Sequence, residues 1–138
     1  HWGHLCGNSA PWAVEMVFDK FFNDKNVNVN LDLVDWSMLS ANTSSKVVNL
    51  LINVFPEKID WRAFSSNSAP EALYYLELLH PEKIHWYDFS YNTSIRAIQL
   101  LKNNPEKIHW DVLSYNHALD EFINLGNMKQ NVCYFPST

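Results

Sequence analysis

Hydrophobic residues recur along the chain in a fixed order, and this order predicts short helical units. Each unit opens with Trp, carries Leu or Phe three residues later, and continues with Ser-x-Asn. Clear copies begin at Trp36, Trp61, Trp86 and Trp110, so the spacing is nearly constant. A fixed period of about 25 residues is typical of stacked supersecondary units.

A longer amphipathic helix is predicted after each Ser-x-Asn. We expect Asn67 to be an N-cap, because its side-chain oxygen can accept N–H groups of the first turn, and Pro70 lies where a missing N–H costs little. Asn42, Asn92 and Asn116 are its equivalents. Apolar residues then share one face of each helix. They are Val47, Val48 and Leu51, then Ala72, Leu73 and Leu76, then Ala97, Ile98 and Leu101, and in the last unit Phe122 and Leu125, where Glu121 breaks the pattern.

Proline is expected to end each longer helix, at Pro56, Pro81 and Pro105. The Trp segment that follows fits one short α or 3₁₀ turn, with Asp35 and Asp60 as plausible caps. A unit of this length is too small for two full helices. We therefore predict an all-α fold, a right-handed α-solenoid whose units alternate a short 3₁₀ or α turn with a longer α-helix.

A degenerate first copy contains Trp2, Leu5, Cys6 and Asn8, with Cys6 at the serine position. Its surplus length falls in Asn23–Asn30, an Asn-rich stretch that indicates a looped insertion. The alternating stretch 27–33 is expected to form at most a brief extended segment. The predicted single helical-repeat domain spans 1–126, followed by a tail at 127–138, with Gly126 at a helix C′ position. Its units cover about 1–34 with the insertion 23–30, 35–59, 60–84, 85–108 and 109–126.

Composition narrows the classes of partner. The chain has 138 residues and a net charge of −5, without a basic cluster that would follow phosphates, which argues against nucleic-acid binding. No apolar run reaches the roughly 20 residues of a membrane span. The two cysteines, Cys6 and Cys133, lie near opposite ends, so a mutual disulfide is not expected, and a reducing intracellular compartment or a virion is favoured.

The repeated polar residues favour structural roles over chemical ones. His85 and His109 replace capping Asp residues, and no Cys or carboxylate joins them as a metal ligand would. A catalytic serine needs one base and one orienting acid, whereas Ser40, Ser65 and Ser90 recur in the same setting and are expected to be buried hydroxyls bonded to backbone, as is Ser114. The Glu-Lys pairs after each proline are expected to be solvated charges. We therefore predict no enzyme activity, cofactor or metal.

The combined pattern Leu-Leu-x-x-x-Pro-Glu-Lys-Ile-x-Trp-x-x-[Leu/Phe]-Ser-x-Asn resembles the short tryptophan repeats found in proteins of giant DNA viruses. The resemblance covers about residues 35–116. Members often carry Asn-Pro at the helix start, whereas this chain has Asn-Thr or Asn-Ser. It implies a viral origin and an interaction or virion-structural role, with no catalytic residues to transfer. The unit length is also similar to leucine-rich-variant repeats, which alternate 3₁₀ and α helices.

Two functions are therefore expected. The first is a noncatalytic protein-binding or scaffold module, whose variable outward residues bind the partner. The second is a minor capsid or scaffold protein within a larger virion assembly. We also expect further repeats or a partner to cover the end formed by residues 1–8, and the tail to close the other end through Val132, Tyr134 and Phe135. The candidate partner-binding residues are Arg62, Tyr74, Tyr75, Tyr87, Tyr91, Arg96, Gln99 and Tyr115.

Overall fold

The computed structural model describes residues 2–22, 31–116 and 118, and this part of the chain contains helices and turns without a strand, which confirms the all-α prediction. Its α-helices are α1 (Trp2–Cys6), α2 (Pro11–Phe21), α3 (Trp36–Ser40), α4 (Ser45–Asn53), α5 (Trp61–Ser65), α6 (Pro70–Tyr74), α7 (Trp86–Phe89), α8 (Ile95–Asn103) and α9 (Trp110–Leu113). In the same ranges, 3₁₀ turns cover Leu31–Leu33, Pro56–Lys58, Pro81–Lys83 and Pro105–Lys107. None of the helices described is both long and apolar enough to cross a bilayer.

Each unit alternates a short helix that begins at Trp with a longer helix that begins after Asn. The aspartates cap the short helices as expected: Asp35 Oδ1 accepts the N–H of Met38 at 2.9 Å, and Asp60 Oδ1 accepts that of Arg62 at 3.1 Å. His85 and His109 hold the same N-cap position without a side-chain capping bond. The short helices of the first four units contact each other in order, α1 with α3, α3 with α5 and α5 with α7.

The asparagines before the longer helices are not N-caps, and that prediction was wrong. Ala69 is the N-cap of α6, and Asn67 Oδ1 accepts its N–H at 2.9 Å. The asparagine thus closes an Asx turn one step earlier, since its short side chain reaches the backbone two residues on. This leaves the Nδ2 group directed at the preceding unit. Asn42 and Asn92 make the same bond to Ser44 and Ser94, which are the N-caps of α4 and α8.

The Nδ2 groups join each unit to the one before it. Asn67 Nδ2 donates to the carbonyls of Ser40 at 3.0 Å and Asn42 at 2.8 Å. Asn67 is 1% exposed, so these bonds lie in a site where an unpaired polar group would be costly. The same pair of bonds runs from Asn42 to Cys6 and Asn8, from Asn92 to Ser65 and Asn67, and from Asn116 to Ser90 and Asn92.

The serine hydroxyls make a second link between units. Ser40 Oγ donates to the carbonyl of Trp36 at 2.7 Å and accepts the N–H of Asp60, in the next unit, at 2.9 Å. Ser65 and Ser90 repeat both bonds, which confirms that these hydroxyls are buried and bonded to backbone. Ser114 differs, since it is exposed and donates to the carbonyl of Asp111. In the first unit, Cys6 takes the serine's place beside the backbone of Asp35, and burial raises the pKa of its thiol.

The buried apolar residues come from both the short and the longer helices and form two clusters, with Ile84 packed against both. The predicted apolar stripes of α4, α6 and α8 are buried, as are Leu39, Phe64 and Phe89, the residues three positions after each Trp. The tryptophans pack against this core while keeping part of their surface exposed. The Glu-Lys charges after each proline are exposed or half-buried, as predicted, and two of the lysines also lie over a tryptophan: Lys58 Nζ is 5.8 Å from the centre of the Trp36 ring, and Lys83 Nζ is 5.7 Å from that of Trp61.

A wider last turn explains why the units that begin at Trp36 and Trp61 are one residue longer than the unit that begins at Trp86. In the first of them, the N–H of Phe55 bonds to the carbonyl of Leu50, five residues back, as well as to that of Leu51. In the second, Tyr75–Leu79 form a π-helical turn and His80 bonds to Tyr75. The shorter unit lacks this turn, since Asn104 bonds to Leu101. The π-type bond absorbs the extra residue.

Phe55 and His80, the residues that follow the wide turns, cover the tryptophan of their own unit. The Phe55 and Trp36 ring centres are 5.2 Å apart, and those of His80 and Trp61 are 5.5 Å apart. Phe21 covers Trp2 in the same way at 5.7 Å. The contact does not require the wide turn, since Phe21 makes it from the last residue of the regular helix α2.

Part of the predicted organisation lies outside the described residues, namely the insertion 23–30, the helix containing Phe122 and Leu125, Gly126, and the tail 127–138. The last residues of the expected extended stretch are described, and they form the 3₁₀ turn Leu31–Leu33. This turn occupies the place of Pro-Glu-Lys in the other units. It is fastened there by Trp36 Nε1, which donates to the carbonyl of Leu31 at 3.2 Å.

We expect Asn67→Ala to lower the free energy of unfolding by about 2 to 4 kcal/mol, because it leaves two buried carbonyls without their donor and the Ala69 N–H without its acceptor. Asn8→Ala should cost about 1 kcal/mol or less, since the Asn8 side chain makes only the bond to the Ala10 N–H, at 2.9 Å, in a half-buried site of the described part. Urea unfolding of both variants measures the difference. Equal losses would contradict the role assigned to the Nδ2 bonds.

Candidate partner-binding surface

Three exposed tyrosines form a continuous surface on the short-helix side of the last two units, which we call the tyrosine ridge (Tyr87, Tyr91, Tyr115). Tyr87 and Tyr91 are 44% and 42% exposed, and their ring centres lie 5.9 Å apart in an edge-to-face arrangement. They are four residues apart, so they stand on the same side of one helical turn. Tyr115, at 73% exposure, occupies the position of Tyr91 in the next unit.

The tyrosines of the ridge influence one another electrostatically. Hydrogen bonding to Tyr87 raises the pKa of Tyr91, and the charges of Asp111 and Tyr115 raise it further. His109 lies against the other side of Tyr87, with ring centres 5.3 Å apart. Asp111 and His109 were absent from the candidates derived from sequence. Asp111 lies four residues before Tyr115, as Tyr87 lies four residues before Tyr91. This repeated spacing is the sequence signal that would have identified Asp111.

An ion pair extends this surface toward the third unit. Arg62 Nε donates to Asp88 Oδ2 at 3.2 Å, and the Arg62 side chain remains 66% exposed. Such an exposed pair contributes little to stability. Its effect is to hold the guanidinium beside the α7 helix that carries Tyr87.

The outward row of positions one and five residues after each Trp carries glycine or small side chains in the first two units. The positions equivalent to Tyr87 and Tyr91 are Gly3 and Gly7 in the first unit, then Ser37 and Ala41 in the second. Large side chains on this row begin at Arg62 in the third unit and continue with Tyr87, Tyr91 and Tyr115 in the fourth and fifth. The first half of the row has little side chain to offer a partner.

Three other candidates lie on the longer helices and are separate from the ridge. Tyr74 is exposed on α6, whereas Arg96 and Gln99 are exposed on α8. Arg96 forms a two-pronged ion pair with Glu77, which raises the pKa of its guanidinium, and Arg96 Nη1 also donates to Gln99 Oε1 at 3.2 Å. Arg96 is therefore already bonded to Glu77 in the preceding unit and to Gln99 in its own unit.

Tyr75 packs against the core and differs from the other candidates in this respect. Its ring stacks parallel to that of Trp61, with centres 6.2 Å apart, and lies 4.7 Å from that of His80. The side chain is half-buried. The same position is half-buried in the neighbouring units, where Leu50 and Leu100 occupy it, so Tyr75 stands at the edge of the core stripe of its helix.

Several exposed apolar side chains were not predicted from the sequence. Trp12 and Met16 are four residues apart on α2 and are 60% and 44% exposed. Each falls outside the repeated motif, so the comparison of units gave no signal for them. The sequence signal for this face is a Trp followed four residues later by a Met, both outside the apolar stripe that faces the core. The further examples are Leu33, Val54, Leu78, Leu79 and Ile95.

An open groove of about 630 Å³ separates the first unit from the second. Its lining includes Trp2 and Lys20 on one wall and Asp35 and Trp36 on the other. The Lys20 ammonium lies 5.6 Å from the centre of the Trp2 ring. Residues 23–30 connect the two walls and are outside the described part, so we assign the groove no ligand.

Within residues 2–22, 31–116 and 118, no three His, Cys, Asp or Glu side chains are arranged to hold a metal ion. Comparison with known proteins identifies no relative: no family model, no curated protein and no solved structure matches this chain. The resemblance to viral tryptophan repeats therefore stays a prediction.

The neighbours Tyr74 and Tyr75 offer a matched pair of substitutions. We expect Tyr75→Ala to lower the free energy of unfolding by about 1 to 3 kcal/mol, because the ring loses its packing against Trp61 and the core. Tyr74→Ala should change it by at most about 0.5 kcal/mol, as is usual at an exposed site. Thermal or urea unfolding distinguishes them, and a larger loss for Tyr74→Ala would contradict the placement of the two rings.

Proposed function

We propose that the units stack as a right-handed α-solenoid that serves as a noncatalytic protein-binding or scaffold module. The observation that carries the proposal is the tyrosine ridge, with Arg62 beside it. Tyrosine and arginine are the side chains that most often dominate protein interfaces, because each offers a large contact area together with a polar group. Here one arginine and three tyrosines, namely Arg62, Tyr87, Tyr91 and Tyr115, share one exposed row.

The internal bonding of the units supports this proposal. The repeated Asn and Ser groups bond to backbone between units, and the repeated apolar residues fill the core. The positions that vary outward are thus free to change without disturbing the packing of one unit on the next. A protein partner can be selected through those positions alone, as in other repeat proteins.

The charges around the ridge favour a partner surface that carries arginine or lysine. Asp111 stands next to Tyr91 and is exposed, and the whole chain has a net charge of −5. The faces of the tyrosine rings attract cations, and each such contact is worth about 0.5 to 2 kcal/mol. We therefore expect the ridge to bind a basic and partly apolar protein segment.

The test uses the double variant Tyr87→Ala/Tyr115→Ala, with Tyr74→Ala as the control on the other layer. Affinity capture with the unmodified chain and mass spectrometry identify a partner, and calorimetric titration of that purified partner measures its affinity. We expect the ridge variant to bind at least about tenfold more weakly, as truncated interface anchors do. Tyr74→Ala should bind with unchanged affinity.

Unchanged affinity of the ridge variant, or loss of binding in Tyr74→Ala alone, would contradict the assignment of the ridge. Both variants truncate exposed side chains, so melting temperatures close to that of the unmodified chain should accompany the result.

A further inference from the structure

Two of the asparagines that join the units also stand in acceptor sequences for N-glycosylation. Such a sequence is Asn-x-Ser or Asn-x-Thr, where x is not Pro. Asn42 begins one copy, with Ser44 as its hydroxyl residue, and Asn92 begins the other, with Ser94. In the other three units the third position of the motif holds alanine, namely Ala10, Ala69 and Ala118.

The atom that would receive the sugar already makes two hydrogen bonds. In glycosylation, Nδ2 forms a bond to the anomeric carbon of a sugar carried on a lipid pyrophosphate. One Nδ2 proton is lost and the lipid pyrophosphate leaves. Nδ2 has only two N–H donors, and in Asn92 both are used, on the carbonyls of Ser65 at 3.0 Å and Asn67 at 2.8 Å. Asn42 makes the equivalent pair of bonds. A glycan therefore removes a donor from a buried carbonyl.

The space around these side chains is also closed. Asn42 is 1% exposed and Asn92 is 0% exposed. The Oδ1 end of each carboxamide accepts a backbone N–H, from Ser44 at 2.9 Å and Ser94 at 3.0 Å, so the side chain is held at both ends. Protein interiors contain few voids larger than a water molecule. A sugar at this position requires the unit to separate from the one before it.

We propose that glycosylation at Asn42 or Asn92 and the folded arrangement of the units exclude each other. A chain that carries a glycan at either residue cannot form the boundary bonds, and a folded chain does not expose the Nδ2 atom to a transferase. Both acceptor sequences are accessible before folding, so the event that comes first decides the outcome. The inference does not involve the tyrosine ridge and goes beyond the proposed partner binding.

The acceptor sequences are removable with little change in bonding. The Ser44 side chain makes no capping bond to α4, and Ser94 Oγ accepts the Arg96 N–H at 3.2 Å in an exposed position. Ala69 is the N-cap of α6 at the same place in its own unit. The double variant Ser44→Ala/Ser94→Ala is therefore the reference for a folded chain without acceptor sequences.

A matched control places the glycan one residue away. Ala41 is exposed and is the C-cap of α3. Adding Ala41→Asn to the double variant creates one acceptor sequence that begins at position 41 and uses Thr43 as its hydroxyl residue. A glycan at this position extends into solvent and leaves both Nδ2 bonds of Asn42 intact.

Translation in the presence of microsomes tests the proposal. The three full chains, namely the unmodified chain, the double variant and the variant with Ala41→Asn, each receive an added signal sequence. Gel mobility counts the glycans on each molecule, and limited proteolysis after detergent release measures its folding. We expect every unmodified molecule to be either glycosylated or resistant to protease. Glycosylated ones should be digested at least about tenfold faster than the double variant, because cleavage follows the population of open molecules. The variant with Ala41→Asn should be glycosylated and resistant at once.

Unmodified molecules that carry a glycan at Asn42 or Asn92 and resist protease as well as the double variant does would overturn the proposal. Rapid digestion of the glycosylated variant with Ala41→Asn would overturn it as well. In that case a glycan on the exposed surface would unfold the chain, and the buried Nδ2 bonds would not be the cause.

Discussion

One asparagine side chain per unit connects local folding to the packing of neighbouring units. Its Oδ1 atom closes the turn before the longer helix, and its Nδ2 group bonds to two carbonyls of the unit before, at 2.8 to 3.1 Å. Both ends of the amide are needed, because an unpaired carbonyl in such a buried site is costly. The distance and direction of these bonds fix how far one unit is displaced from the next. The serine hydroxyls also bond across the boundary. Each accepts the N–H of the residue just before the next short helix and so fixes where that helix begins.

This constraint accounts for the variation that the units tolerate. An extra residue is absorbed by a π-type bond at the end of the longer helix, far from the Asn and Ser contacts, so the unit length changes without changing the boundary. In the first unit, Cys6 takes the place of the serine. Its sulfur accepts the Asp35 N–H, and its carbonyl accepts a bond from Asn42 Nδ2. Substitution is restricted at the boundary and permitted in the turns.

The units differ from one another mainly in their outward-facing side chains. Small residues occupy the row in the first two units, and Arg62, Tyr87, Tyr91 and Tyr115 occupy it later. The chain thus combines identical contacts along its length with a side surface that changes from end to end. Because the Asn and Ser groups of each boundary bond between units, a change on the side surface leaves those contacts intact.

The sequence alone determined the units, their helical content, the apolar stripes and the aspartate caps, because these depend on periodicity and on local backbone chemistry. It identified Tyr87, Tyr91 and Tyr115 as outward residues by removing the repeated core positions. Tertiary structure decided the role of Asn67, since one sequence pattern fits both an N-cap and an Asx turn that bonds to another unit. It also placed Tyr75 against Trp61 and His80, at a position that Leu50 and Leu100 occupy half-buried in the neighbouring units. Contacts between separate helices set both outcomes, and the sequence of one helix does not contain them.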